Sequence, residues 1–234
     1  MALEPEDPWP FLRELDLSNG HVLSVTKVLQ RSGMVRWFIP PQHLQELAMV
    51  GRDIHMACED VARGQVPDYW SDLAHIAGYV HGFEKFCKDY DYRAVLIEHT
   101  IKHPAGYRGR LDTAGLLFAN SRSKRRAAVI DIKKGVPASS HQFQLAAYAE
   151  AVRIEHIIEF GKTLDRLCVY LDASGAYAVR RFDNPMDFAN FTALLTTAKM
   201  RTAAGLVNER DEREFDNLLR YAAADQSAEL EPRL

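Results

Sequence analysis

The chain has 234 residues, a formal net charge of −3, 47% hydrophobic and 26% charged residues. That length can bury one substantial core, and the composition excludes both disorder and fibrous repeats. No apolar run reaches the ~18 residues of a membrane span, and the acidic start lacks a signal peptide's basic and apolar regions, so a cytoplasmic location is expected.

Residues 21–30 begin β-branched and run into a short helix that Ser24 or Thr26 would cap, ending near Gly33. Prolines at 40 and 41 break the chain. Over residues 42–62 the apolar positions Leu44, Leu47, Ala48, Gly51, Ile54, His55 and Cys58 recur at three- and four-residue steps, predicting a helix with one buried face. A second helix is predicted over residues 69–88 through Leu73, Ile76, Val80, Phe83 and Phe86. Strands follow at 93–101, 106–118 and 126–133, the last two joined by a polar turn suited to a hairpin. Residues 141–160 read as helix, 167–171 and 177–182 as strands, and 187–204 as a closing helix. The order predicts an α/β domain with a central mixed β-sheet flanked by helices. One domain is expected over 1–234: a helical part at 24–90, a core at 91–204, and a peripheral helix and acidic tail at 205–234.

Three cysteines, Cys58, Cys87 and Cys168, show no Cys-x-x-Cys spacing, so they read as reduced, packed thiols and exclude a zinc ribbon or an iron-sulfur cluster.

The chemistry concentrates between Gly109 and Tyr148. Strand alternation puts Val129, Asp131 and Lys133 on one face and Ile130 and Ile132 on the other. An exposed ion pair on an edge strand is one account of Asp131 and Lys133. The apolar, β-branched frame around Asp131 argues for a central strand instead, where an acid needs a cation. The hairpin would bring Asp112 beside Asp131, and such a carboxylate pair suits magnesium or manganese held against a phosphodiester. Lys133 would orient or deprotonate water, or neutralise phosphate charge. Gln144 and Tyr148, one helical turn apart, would contact phosphate or base, hold the lysine, or simply pack. His55 is either a hydrogen-bonded core histidine or a metal ligand, with Gly51 one turn earlier letting another backbone approach. Glu98 is a second-metal ligand, a DNA contact or a solvent-facing strand residue.

The negative net charge gives no global attraction to nucleic acid, so any such binding needs a local basic surface. Arg122, Lys124, Arg125 and Arg126 form one basic run, which would otherwise be a solvated hairpin tip.

Five ordered segments resemble the successive motifs of the RecB-type PD-(D/E)XK nucleases, especially short phage and prophage exonuclease-like members. They are residues 51–55, Glu98, residues 106–112, residues 129–135 and residues 144–148. The resemblance implies a restriction-endonuclease-like core and a Mg2+- or Mn2+-dependent deoxyribonuclease working from DNA ends in recombination or repair. By this likeness His55, Asp112, Asp131 and the Ile132 carbonyl hold metal, Lys133 is the catalytic lysine, and Gln144 and Tyr148 are the accessory motif. Asp131 stands where many relatives have glutamate, and Lys134 where a threonine is frequent. Arg108, Arg110, Arg122, Lys124, Arg125, Arg126 and Lys134, with Glu98, would line the DNA path, and binding would weaken steeply with salt. A homo-oligomer or a recombination partner protein fits the same likeness. The contrasting reading is a catalytically silent DNA-binding accessory protein that keeps the fold, and RNA is a third substrate class.

Overall fold

In a computed structural model the chain is described over residues 22–35, 41–65, 74–118 and 125–207. The elements in order are β1 (Leu23–Ser24), α1 (Val25–Arg31), α2 (Pro41–Ala62), α3 (Ala77–Asp89), β2 (Arg93–His103), β3 (Tyr107–Leu117) and β4 (Arg126–Lys134). They continue with α4 (Ser140–Glu155), α5 (Ile157–Phe160), β5 (Asp165–Leu171), β6 (Tyr177–Phe182) and α6 (Asp187–Ala203). The predicted lead before residue 22, the C-terminal segment after 207 and the start of the second predicted helix lie outside the described residues.

The six strands form one mixed sheet. Strands β2, β3 and β4 run as an antiparallel meander, β4 and β5 pair in parallel through the α4–α5 crossover, and β6 returns antiparallel to β5. Apolar side chains leave both faces. One cluster joins Val129 and Cys168 to Val25, Val28 and Leu29 of α1, Phe143 and Leu145 of α4, and Phe191 and Leu195 of α6. The other joins Ile130, Ile132, Leu167 and Val169 to Ile54 and Cys58 of α2 and Val80, Phe83 and Phe86 of α3. Alternation along β4 and β5 therefore feeds two cores, as expected of central strands covered on both faces. The edge-strand account of Asp131 fails for this reason: β4 has a neighbour on either side, and Asp131 is 0% exposed.

Local chemistry explains most boundaries. Ser24 caps α1 by accepting the Lys27 N–H at 3.2 Å, and Gly33 leaves the helix with φ 85°. Pro41 opens α2, where its missing N–H removes no helical bond. Residues 74–76 form a turn rather than helix, and α3 begins at Ala77 without a side-chain cap. The helix predicted over 141–160 is two pieces: the chain leaves helical geometry at His156 (φ −127°, ψ 35°) before α5. Cys58 and Cys168 are buried, Cys87 is partly so, and all three are free thiols. Among the described residues, no helix is long and apolar enough to cross a membrane.

Two glycines predict opposite responses. A Cβ at Gly115 would stand 2.2 Å from the Arg93 carbonyl oxygen, where β2 bulges between Ala94 and Leu96. A Cβ at Gly51 would meet nothing within 4 Å among the described residues. Among the described residues no backbone approaches Gly51 closely, and there that glycine only weakens its helix. Thermal unfolding should show Gly115→Ala destabilised by about 1–3 kcal/mol and Gly51→Ala stabilised by about 0.5–1 kcal/mol.

Candidate active site

Strand β3 is paired along one edge with β2, but its other edge is divided. Strand β4 occupies it from Thr113 to Leu117, and β1 occupies it only at Tyr107 and Arg108. Gly109, Arg110 and Leu111 have ladder partners in β2 alone. Past Thr113 and Ile130 the hairpin thus opens, while β4 continues against β5 as far as Lys134.

Asp112 sits at the fork. Its Oδ2 accepts the Ile132 N–H at 2.6 Å, replacing the backbone acceptor that β3 has withdrawn. Its Oδ1 lies 3.5 Å from Nδ1 of His55, delivered by α2. A strand residue's N–H and C=O leave the same edge, so the Ile132 carbonyl also faces this opening.

Asp131 lies on the neighbouring strand with its carboxylate toward α4. Lys133 Nζ stands 2.9 Å from Oδ1 and 2.8 Å from Oδ2, while Gln144 Nε2 donates to Oδ1 at 3.1 Å. The same amide reaches the Tyr148 hydroxyl at 3.4 Å, and the Cys168 thiol approaches Asp131 Oδ2 at 3.9 Å. Burial raises the Asp131 carboxyl above its ordinary value, the Lys133 cation pulls it back, and the Asp112 charge raises it again. Burial also opposes the Lys133 charge, but Asp131 and Asp112 outweigh it and hold the ammonium protonated above its usual range. Burial, reinforced by the same two acids, keeps the Tyr148 phenol protonated. The inner side of the fork therefore presents a cation and an O–H donor.

Glu98 occupies the left-handed region at φ 47°, a conformation costing about 1–3 kcal/mol for a residue with a side chain. Its carboxylate meets the Arg110 guanidinium, and its donor atom joins those of His55 and Asp112 within 4.8 Å of one another. Burial and the nearby Asp112 raise the Glu98 carboxyl, against the pull of Arg110 and His55. Two carboxylates and an imidazole around one point make a donor set that fits a divalent cation.

The other expected residues divide by place. Arg108, Arg110 and Lys134 are exposed on β3 and β4. Arg125 and Arg126 belong to the hairpin tip, about 17 Å along the strand from Asp112. There Arg125 lies over the Phe118 ring at 5.8 Å, and Arg126 pairs with Asp165. The structure does not bring these two arginines to the fork, and Arg122 and Lys124 lie outside the described residues.

Sequence reasoning missed a group beneath Asp131. Cys168 is its ladder partner on β5, and the His141 ring sits 4.0 Å from that sulfur and 2.9 Å from the Tyr170 hydroxyl. Burial, with Lys133 and Arg180 near, pushes His141 down to about 4, so the ring is neutral near pH 7. The parallel β4–β5 register alone would have located this group.

The chain matches no family model and no curated protein sequence.

Proposed function

We propose that the chain is a metal-dependent deoxyribonuclease that hydrolyses DNA phosphodiester bonds, working from DNA ends. The observation that carries the proposal is the fork itself. Asp112 stands where the hairpin opens, and on the adjacent strand Asp131 is buried in the middle of the sheet with the Lys133 ammonium on it. A structural ion pair has no need of such a burial, whereas a site gathering positive charge against phosphate does.

His55, Glu98 and Asp112, whose donor atoms converge, would hold Mg2+ or Mn2+ together with the Ile132 carbonyl, and Asp131 would complete the set from the adjacent strand. The cation would polarise the phosphodiester and acidify a water. Lys133, paired with Asp131, would stabilise charge developing on the phosphate. Gln144 ties the Asp131 carboxylate to α4, and its amide is in turn held by the Tyr148 hydroxyl one turn on. Arg108, Arg110 and Lys134 would hold the backbone on either side. Preference for DNA, and for its ends, is supported by the motif resemblance alone.

Cleavage of end-labelled single- and double-stranded DNA, closed circles and RNA tests this reading. Wild type should shorten linear DNA with Mg2+ or Mn2+, stop with chelator, and lose activity as Asp131→Ala. Cutting closed circles as readily as linear DNA would remove the end preference, and cutting RNA alone would move the substrate. Tight metal-dependent DNA binding without product from any substrate would overturn the enzyme reading in favour of a silent DNA-binding protein.

Gly109, the first residue of the β3 segment with one free edge, serves the same geometry. A Cβ there would lie 2.6 Å from Tyr148 Cε1 and 3.3 Å from Val25 Cγ2. Gly109→Ala should push Tyr148 off Gln144 and lower kcat by about tenfold, equivalent to ~1.4 kcal/mol, with smaller change in KM.

A further inference from the structure

Behind the fork, on the face of β2 opposite Glu98, lies a second cluster that the proposed nuclease chemistry does not use. His99 follows Glu98 on β2, and its Nε2 stands 3.2 Å from Nε2 of His156, the residue at which α4 breaks. The Glu155 carboxylate is the third member, with donor atoms of all three within 4.8 Å of one another. The two rings cross at 74° with centroids 5.0 Å apart, so their nitrogens converge on one point rather than stack.

Two imidazole nitrogens on one zinc ion, each at 2.0–2.1 Å in a tetrahedral arrangement, lie roughly 3.3–3.4 Å apart. The 3.2 Å separation is close to that bite. The far nitrogen of His156 faces Glu159, with Nδ1 3.6 Å from Oε1. A carboxylate there favours the Nδ1–H tautomer and leaves the Nε2 lone pair toward His99, the arrangement in which an outer acid orients a ligating histidine. Glu155 is exposed and tethered by one oxygen, which accepts the Lys102 N–H at 2.9 Å. It can turn toward the rings without unpacking anything.

We propose that His99, His156 and Glu155 form a site for a borderline transition-metal ion of the zinc class, which staples the edge strand β2 to the α4–α5 break. Without the ion, the His99 Nε2–H donates to His156, and binding moves that proton to Nδ1 of His99, so that both Nε2 lone pairs meet the ion. Two imidazoles favour zinc, cobalt or nickel over magnesium, whereas the cluster at Asp112 is richer in oxygen. The two sites share no residue, so this inference stands apart from the nuclease reading.

Zn2+ titrated calorimetrically in excess Mg2+, together with the visible ligand-field spectrum of the Co2+ form, tests the site. Asp112→Asn serves as the control for the fork. Wild type and Asp112→Asn should each bind one Zn2+ equivalent that His99→Asn and His156→Asn lack, and show a Co2+ spectrum that those variants lose. Exposed Glu155→Gln, which removes a ligand without touching the core, should weaken binding by about tenfold or more. Saturating Zn2+ should raise the wild-type Tm by about 5 °C. Zn2+ uptake unchanged in His99→Asn, His156→Asn and Glu155→Gln, or uptake lost in Asp112→Asn alone, would overturn the proposal and leave the pair as hydrogen-bonded histidines.

Discussion

Asp112→Asn is expected to lower metal-dependent cleavage by about 10³-fold, ~4 kcal/mol of transition-state stabilisation, while unfolding at nearly the wild-type denaturant midpoint. The side chain does two separable jobs. One oxygen accepts the Ile132 N–H at 2.6 Å and so closes the edge of β4 where β3 diverges. The other faces His55, where the cation would sit. Asparagine keeps the first function, because its carbonyl can accept the same N–H. It loses the second, because its NH2 offers no lone pair and no charge. Asp112→Ala removes both, leaving a buried N–H without a partner, and should lose a further ~1–3 kcal/mol of stability at the same residual activity. Kinetics and urea unfolding of the two variants, side by side, check this. Equal stability losses would mean that the Ile132 bond is not what Asp112 contributes to the fold, and full activity in Asp112→Asn would remove it from the catalytic set.

The parts legible from sequence were those set by local pattern. Alternation around Asp131 fixed which residues share its face, and the polar break after Phe118 paired β3 with β4. Together these put Asp112 next to Asp131 without any tertiary information. What remained hidden depends on contacts distant in sequence or on backbone irregularity. The divided edge of β3 arises because β1, some 80 residues earlier, takes the place beside Tyr107 that β4 would otherwise fill. Glu98 breaks the alternation of its strand through a left-handed backbone that no composition cue announces, since neither Gly nor Asn stands there. Arg125 and Arg126 are close to Asp131 in sequence but lie at the far end of the hairpin arm. The extended rise of β4 carries them about 17 Å along the strand. The break at His156 has no proline or glycine before it, so periodicity ran straight through.

Lys133→Met should be the variant whose stability depends most on pH. In wild type the Asp131 carboxylate is 0% exposed and faces the Lys133 ammonium at 2.8 Å. Methionine fills similar space but, among the described residues, leaves the acid the Gln144 amide and the Cys168 thiol as donors. Losing one partner of a buried pair costs about 3–5 kcal/mol when the other stays charged. Burial already raises the Asp131 carboxyl above 3.8 in the folded state, and removing the lysine raises it further. Between 3.8 and that raised value the folded chain binds more protons at Asp131 than the unfolded chain does. Stability therefore falls as pH rises through the window, and the group's contribution is fully favourable only below it. Urea unfolding should show the deficit of Lys133→Met against wild type smaller at pH 5 than at pH 8. Added Mn2+ should recover part of the pH 8 deficit, because a divalent cation replaces the missing charge, but not the activity, because the proposed phosphate donor is gone. The double variant Lys133→Met with Asp131→Leu removes both charges and should regain most of the stability at every pH while remaining inactive. A deficit equal at both pH values would show that Asp131 is not the group the lysine holds ionised.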